Sequence, residues 1–165
     1  MSEGTEPNAA ADPYAAAGLR PASAADIDVL WGIESAVFGA EAWSRGMMLD
    51  ELTAEHRSYL VLEADGAVIG YAGLLVVGAE ADVQTIALVP EARGGGRGRL
   101  LMEALLAEAR RRDVREVFLE VRADNSVAQS LYASLGFEAI AVRPRYYQPD
   151  DIDAIVMRLE LQEER

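Results

Sequence analysis

The chain has 165 residues, 51% apolar and 7% aromatic, with a net charge of −13 and neither cysteine nor lysine. This is enough for one packed core burying roughly two thirds of the unfolded surface, while disulfides, thiolate chemistry and, with a single histidine (His56), a multi-histidine metal site are excluded. Nucleic acid is disfavoured because phosphates need a basic face, and no segment reaches the roughly 18 apolar residues of a membrane span.

Residues 1–17, "MSEGTEPNAAADPYAAA", carry three acidic residues, two prolines and no basic residue, and read as a disordered leader before one domain over 18–165. No basic region followed by an apolar run marks a signal peptide, so a cytoplasmic location is expected. "LRPAS" predicts a short strand, with Ser23 or Asp26 placed to cap the helix after it. "AADIDVLWGIESAVF" sets Ile27, Leu30, Trp31, Glu34 and Val37 at helical spacing, a first helix that takes Trp31 and Phe38 into the core. "WSRGMMLDELTAEH" predicts a second helix capped by Ser44, and His56 after it reads as a surface residue.

Strands "RSYLVLEA" and "AVIGYAGLLVV" flank Asp65-Gly66, a hairpin signal, and "ADVQTIALV" is a third strand ended by Pro90. A glycine-arginine stretch then runs into the helix "RLLMEALLAEARRR", whose basic last turn suits the helix dipole. "REVFLEV" is a strand, "SVAQSLYASL" a helix closed by Gly136, and "FEAIAVRPRYY" and "DAIVMRLELQ" a final strand pair. The order β-α-α-β-β-β-α-β-α-β-β describes an α/β (α+β) fold, a mixed sheet flanked by helices.

The stretch "EARGGGRGRLLMEALL" holds four glycines and three arginines within residues 93–99. A linker needs structureless flanks, and an RGG-type nucleic-acid segment needs repeats and a basic background; neither is present. A strand-loop-helix anion site remains, since glycines let successive N–H groups turn inward beside a helix N-terminus. A P-loop is ruled out because the chain has no lysine, and a dinucleotide fingerprint fails at Leu101.

The pattern Arg93-Gly94-Gly95-Gly96-Arg97-Gly98 resembles the pyrophosphate loop of the general N-acetyltransferase (GNAT) superfamily. Downstream, "LEVRADNSVAQSLYASLGF" resembles the signature of its RimI type, bacterial N-terminal acetyltransferases that modify a ribosomal-protein alanine. "QTIALVP", "AEAWS" and "PRYY" resemble further elements of that type, although Ala42 stands where proline is usual. The resemblance spans about residues 18–160 and implies a mixed, mostly antiparallel sheet. It implies acetyl-CoA as co-substrate, no metal, and direct transfer in a ternary complex to a basic protein N-terminus such as that of a ribosomal protein. A small amine or a lysine as acceptor, or a non-catalytic acyl-CoA-binding module, are the alternatives.

The resemblance implies roles for individual residues. Glu120 would be general base, directly or through water; by alternation alone it is a solvent-facing strand residue. Only a modest base is needed, because an α-amine with a pKa of about 8 is roughly a tenth neutral at pH 7. Tyr132 would protonate the departing thiolate; otherwise it is a core aromatic. Ile86, Ala87 and Leu88 would present backbone groups to the pantetheine arm, one N–H polarising the thioester carbonyl. The amides of Gly94, Gly95, Gly96, Arg97, Gly98 and Arg99 would hold the pyrophosphate, with the Arg97 and Arg99 side chains adding charge or pointing to solvent. Asn125 caps a helix, binds the cofactor, or both. Trp43, Tyr146 and Tyr147 are candidates to line an acceptor groove, with at most one of the adjacent tyrosines able to point in.

Overall fold

In the computed structural model, which describes residues 17–162, the sequence patterns become seven strands and four α-helices among the described residues. In chain order they are β1 (Leu19–Pro21), α1 (Ile27–Phe38), α2 (Arg45–Thr53), β2 (Arg57–Ala64), β3 (Ala67–Val77), β4 (Glu80–Leu88), α3 (Arg97–Arg111), β5 (Glu116–Arg122), α4 (Ser126–Ser134), β6 (Glu138–Tyr147) and β7 (Ile152–Glu160). The expected leader lies outside the described residues except for Ala17, in a turn.

The strands form one sheet in the order β1-β2-β3-β4-β5-β7-β6. Among the described strands only β4 and β5 pair in parallel, because the chain between them crosses over through α3. The Asp65-Gly66 hairpin turn has φ of 53° and 79°, both positive as a type I′ turn requires, and Ala64 pairs with Ala67.

Each sheet face has its own core. On one side α3 buries Leu101, Met102 and Leu105 against Leu74 of β3 and Val117 of β5. On the other, α1 and α2 bury Leu30, Ile33 and Met48 against Tyr59, Val61 and Tyr71. Burying one such leucine stabilises the fold by about 2 kcal/mol. The predicted α1 stripe is corrected here: Ile27, Leu30, Ile33 and Glu34 are buried, whereas Trp31 is 39% exposed. Trp31 follows Leu30 by about 100° of helical rotation and swings off the seam, which Ile33 fills. Phe38 is half-buried against this cluster. Helix α2 is capped as expected, with Ser44 Oγ accepting from Met47 N–H at 3.2 Å, but it stops at Thr53, and His56 is exposed with φ 66°.

The strand pair β4–β5 positions the site. The two are in register only from Glu80↔Glu116 to Asp82↔Phe118, then part. The opening therefore begins after Asp82, eight residues before Pro90. The β3–β4 register shifts there, with Gly73 opposite Thr85 and Leu74 opposite Val83, leaving Gln84 as an extra residue. A bulge of this kind bends and twists its strand, and it turns β4 away from β5.

Candidate active site

Where β4 and β5 part, a cleft of about 820 Å³ opens. Side chains from opposite faces of β5 line it: Glu120 and Arg122 on one, Leu119 and Val121 on the other. Both can do so because the gap runs through the sheet. The acceptor-side candidates Trp43, Tyr146 and Tyr147 reach it from the α1–α2 face, and Tyr132 of α4 from the α3 face.

Glu120 projects on the face opposite the buried Val117, Leu119 and Val121, and its side chain is 27% exposed. Its carboxylate lies 3.3 Å from Arg143 of β6 and accepts a hydrogen bond from the Tyr146 hydroxyl. That bond, with burial, raises the Tyr146 pKa above the usual phenol value. The glutamate thus faces a walled cleft rather than open solvent.

Tyr132 is 6% exposed, its ring edge-on to Phe137 at 6.0 Å. Burial pushes its phenol up to about 12, so the hydroxyl keeps its proton at neutral pH. Asn125 both lines the cleft and caps α4, its Oδ1 accepting from Ala128 N–H at 3.1 Å. Ile86 lines the cleft as well; Ala87 and Leu88 do not, their side chains packing into the two cores.

The glycine-rich loop lies outside the cleft lining and follows β4 through a turn at Pro90–Ala92. Gly94 and Gly96 have φ of 85° and 78°, left-handed values that glycine adopts without strain, in an exposed loop ahead of α3. Arg97 donates to the Ala92 carbonyl at 3.2 Å, and the exposed Arg99 donates to Ser134 Oγ at 2.6 Å. Arg93 is exposed.

Tyr146 and Tyr147 correct a second expectation, since both line the cleft. Between the pairs Arg143↔Ala154 and Tyr147↔Ile152, β6 holds two more residues than β7. Arg145 takes φ 54° and donates its N–H to Asp153 Oδ1 at 2.9 Å, which breaks the alternation. The rings meet edge to face at 5.1 Å.

Five charged residues in the lining were not singled out from sequence: Arg143 above, with Glu34, Glu41, Asp82 and Arg122. Arg122 donates to Glu41 Oε1 at 2.6 Å and to Asp124 at 3.0 Å, and lies 5.3 Å from the Tyr147 ring centroid. Glu34, 3% exposed, accepts from Trp43 N–H at 3.1 Å and from the Tyr71 hydroxyl. Asp82 has its pKa raised by burial and then by the charges of Glu80 and Glu120. Arg122 stood inside the "LEVRADN" stretch, and a glutamate within the α1 apolar stripe was a readable signal for Glu34.

The donor set fits the acetyl-CoA that the resemblance implies: a β4 edge without a partner strand past Asp82, then an exposed glycine loop at the N-terminus of a 15-residue helix. No group of three or more metal-ligating side chains occurs among the described residues, and no described helix is long and apolar enough to cross a membrane.

Residues 27–137 match the acetyltransferase (GNAT) family. The chain is 37% identical over 131 residues to the N-alpha-acetyltransferase RimI of Mycobacterium tuberculosis, covering 76% of this chain and 81% of that protein. The crystal structure of the ribosomal-protein-S18-alanine N-acetyltransferase of Escherichia coli superposes with a TM-score of 0.82 at 32% identity, over 89% of this chain and 95% of that one. The Salmonella typhimurium protein yncA, solved with its cofactor acetyl-CoA, superposes with a TM-score of 0.76 at 25% identity, over 89% and 95% of the two chains.

Proposed function

The chain belongs to the acetyltransferase (GNAT) family, and from that premise we propose that it acetylates the α-amine of a protein N-terminus, that of a ribosomal protein in the cytoplasm, with acetyl-CoA as donor. The observation that carries this reading is the cleft that Glu120 and Tyr132 enter from opposite faces of the sheet. A base and an acid on either side of a gap suit a reaction in which one proton leaves an incoming amine and another reaches a departing sulfur.

Acetyl-CoA supplies the acetyl group as an activated thioester. The amides from Gly94 to Arg99 hold its pyrophosphate, Arg93 opens that loop, and the free β4 edge about Ile86, Ala87 and Leu88 orients the pantetheine arm, with Asn125 beside it. Glu120 accepts the proton of the α-amine at its carboxylate, directly or through water. Tyr132 gives its hydroxyl proton to the sulfur, a role matched to a phenol that burial, pushing its pKa up to about 12, keeps protonated at neutral pH. Trp43, Tyr146 and Tyr147 wall the acceptor side, where Glu41, Glu120 and Asp82 favour a cationic N-terminus. The activity resides in one domain over 18–165.

The test is purified protein with acetyl-CoA and three acceptors: an alanine-starting, arginine-rich peptide, the same peptide with its N-terminus blocked and a lysine added, and a panel of small amines. Mass spectrometry should place the acetyl group on the free α-amine. Modification confined to lysine, or faster turnover of small amines, would overturn the proposal.

A further inference from the structure

One buried acidic side chain in the cleft wall has no role in the acetyl transfer proposed above. Glu34 sits in the third turn of α1, 3% exposed, among Leu30, Ile33 and Met48. A carboxylate taken out of water at such a place costs several kcal/mol unless its oxygens are satisfied. Both are: Oε1 accepts the Trp43 backbone N–H at 3.1 Å, and Oε2 accepts the Tyr71 hydroxyl. Tyr71 is fully buried in the middle of β3, and burial followed by the Glu34 charge raises its pKa, so the proton stays on the phenol and the bond keeps its direction. Tyr71 pairs directly with Ala87 of β4.

The segment between α1 and α2 is lightly restrained. It passes through a single turn at Gly39–Glu41, closed by Ala42 N–H to the Gly39 carbonyl at 3.1 Å, and Gly39 and Ala40 are exposed. Besides the packing of Trp43 against the α1–α2 core, two longer-range hydrogen bonds hold it, Arg122 to Glu41 at 2.6 Å and Trp43 N–H to Glu34. Trp43 and Glu41 both line the cleft, as does Thr85 across from them. The chain Trp43–Glu34–Tyr71 therefore connects the acceptor wall to β3, whose pairing at Tyr71↔Ala87 carries it to the strand proposed to hold the donor.

We propose that Glu34 is a positioning residue that fixes the acceptor wall at Trp43 relative to β4 through its paired hydrogen bonds to Trp43 and Tyr71. The inference rests on the acetyl-transfer reading for what the wall receives, but not for the strut itself. Since both Glu34 oxygens are engaged, the residue orients and does not exchange protons with substrate.

The experiment compares the full chain with Glu34→Leu, Glu34→Gln and Tyr71→Phe, each checked for folding by circular dichroism. Steady-state kinetics with acetyl-CoA and the alanine-starting peptide are read beside hydrogen exchange of the 39–43 segment. Glu34→Leu should raise the peptide KM about tenfold or more, leave the acetyl-CoA KM within about twofold, and speed exchange at Trp43 about tenfold. Glu34→Gln, whose carbonyl can accept from Trp43 while its amide donates to Tyr71 Oη, should stay within about threefold on every measure; Tyr71→Phe should fall between the two. Unchanged exchange at Trp43 in Glu34→Leu, equal changes in both KM values, or a Gln variant as impaired as Leu would overturn the proposal. The two failures are separable: a wild type that acetylates no N-terminal peptide sinks the transfer reading, whereas the exchange measurement judges the strut without any turnover.

Discussion

Arg122 and Glu41 are bonded at 2.6 Å although 81 positions separate them in the chain. The contact joins the end of β5, two residues past Glu120, to the turn between α1 and α2, and so ties the proposed base to the acceptor wall. Arg122 also reaches Asp124 at 3.0 Å and Asp150 at 3.7 Å, linking the β5–α4 and β6–β7 connections to the same point. Its side chain is 27% exposed, so the cluster is partly shielded from salt.

Replacing Arg122 by glutamine should raise the peptide KM about three- to tenfold with little effect on acetyl-CoA binding. Glu41→Gln should reproduce part of that loss, and the double variant should lose less than the sum, as coupled partners do. A double-variant cycle on peptide KM measures this; additive losses would show that the pair does not act as a unit.

Glu120→Gln should lower kcat by about 10²- to 10⁴-fold, the usual contribution of a general base, while melting within a few degrees of wild type. The loss should shrink as pH rises from 7 to 9, because an α-amine with a pKa of about 8 becomes neutral without help. A pH–rate series with both proteins tests the sign; a deficit that stays constant with pH would point to a role other than proton removal.

Tyr132→Phe should depress kcat while leaving acetyl-CoA affinity within about threefold. In wild type the acid form must be present, and burial pushes this phenol up to about 12. The alkaline side of the kcat profile should therefore show no fall from Tyr132 ionisation below about pH 10. A decline centred near the ordinary phenol value of about 10 would contradict the buried acid.

Two glycines in the loop should respond differently to alanine. Gly96 has φ 78°, where a side chain costs about 1–2 kcal/mol of backbone strain even though a Cβ there would meet nothing within 4 Å. Gly96→Ala should thus lower Tm by roughly 2–8 °C and weaken acetyl-CoA binding together. At Gly98 a Cβ would make only ordinary contact with Leu131 at 3.5 Å. Gly98→Ala should leave Tm nearly unchanged, and any loss of acetyl-CoA affinity measured by calorimetry would then report on the ligand's approach rather than on the fold.

Local signals in the sequence carried most of the element order. The period-2 run "REVFLEV" becomes β5, Asp65-Gly66 the hairpin turn, Ser44 the α2 cap and Asn125 the α4 cap. These succeed because each depends on neighbours within a few positions. Alternation failed at Tyr146 and Tyr147, where extra residues in β6 turn both rings into one cleft. Helical spacing failed at Trp31, because the stripe is about 100° wide and composition does not say which edge meets the sheet.

What the sequence determined by itself is therefore the succession of strands and helices, the glycine loop that opens α3, and Glu120, Asn125 and Tyr132 in the order that marks the family. Only the tertiary structure decided where the candidate site lies and what surrounds Glu120, the proposed base. The extra residue Gln84 turns β4 from β5 and makes the gap, and the long-range bonds Arg122–Glu41 and Glu34–Trp43 build its acceptor side. The physical reason is that a bulge and a buried ion each take their meaning from the strand or donor opposite, and that partner is brought close by folding, not by spacing along the chain.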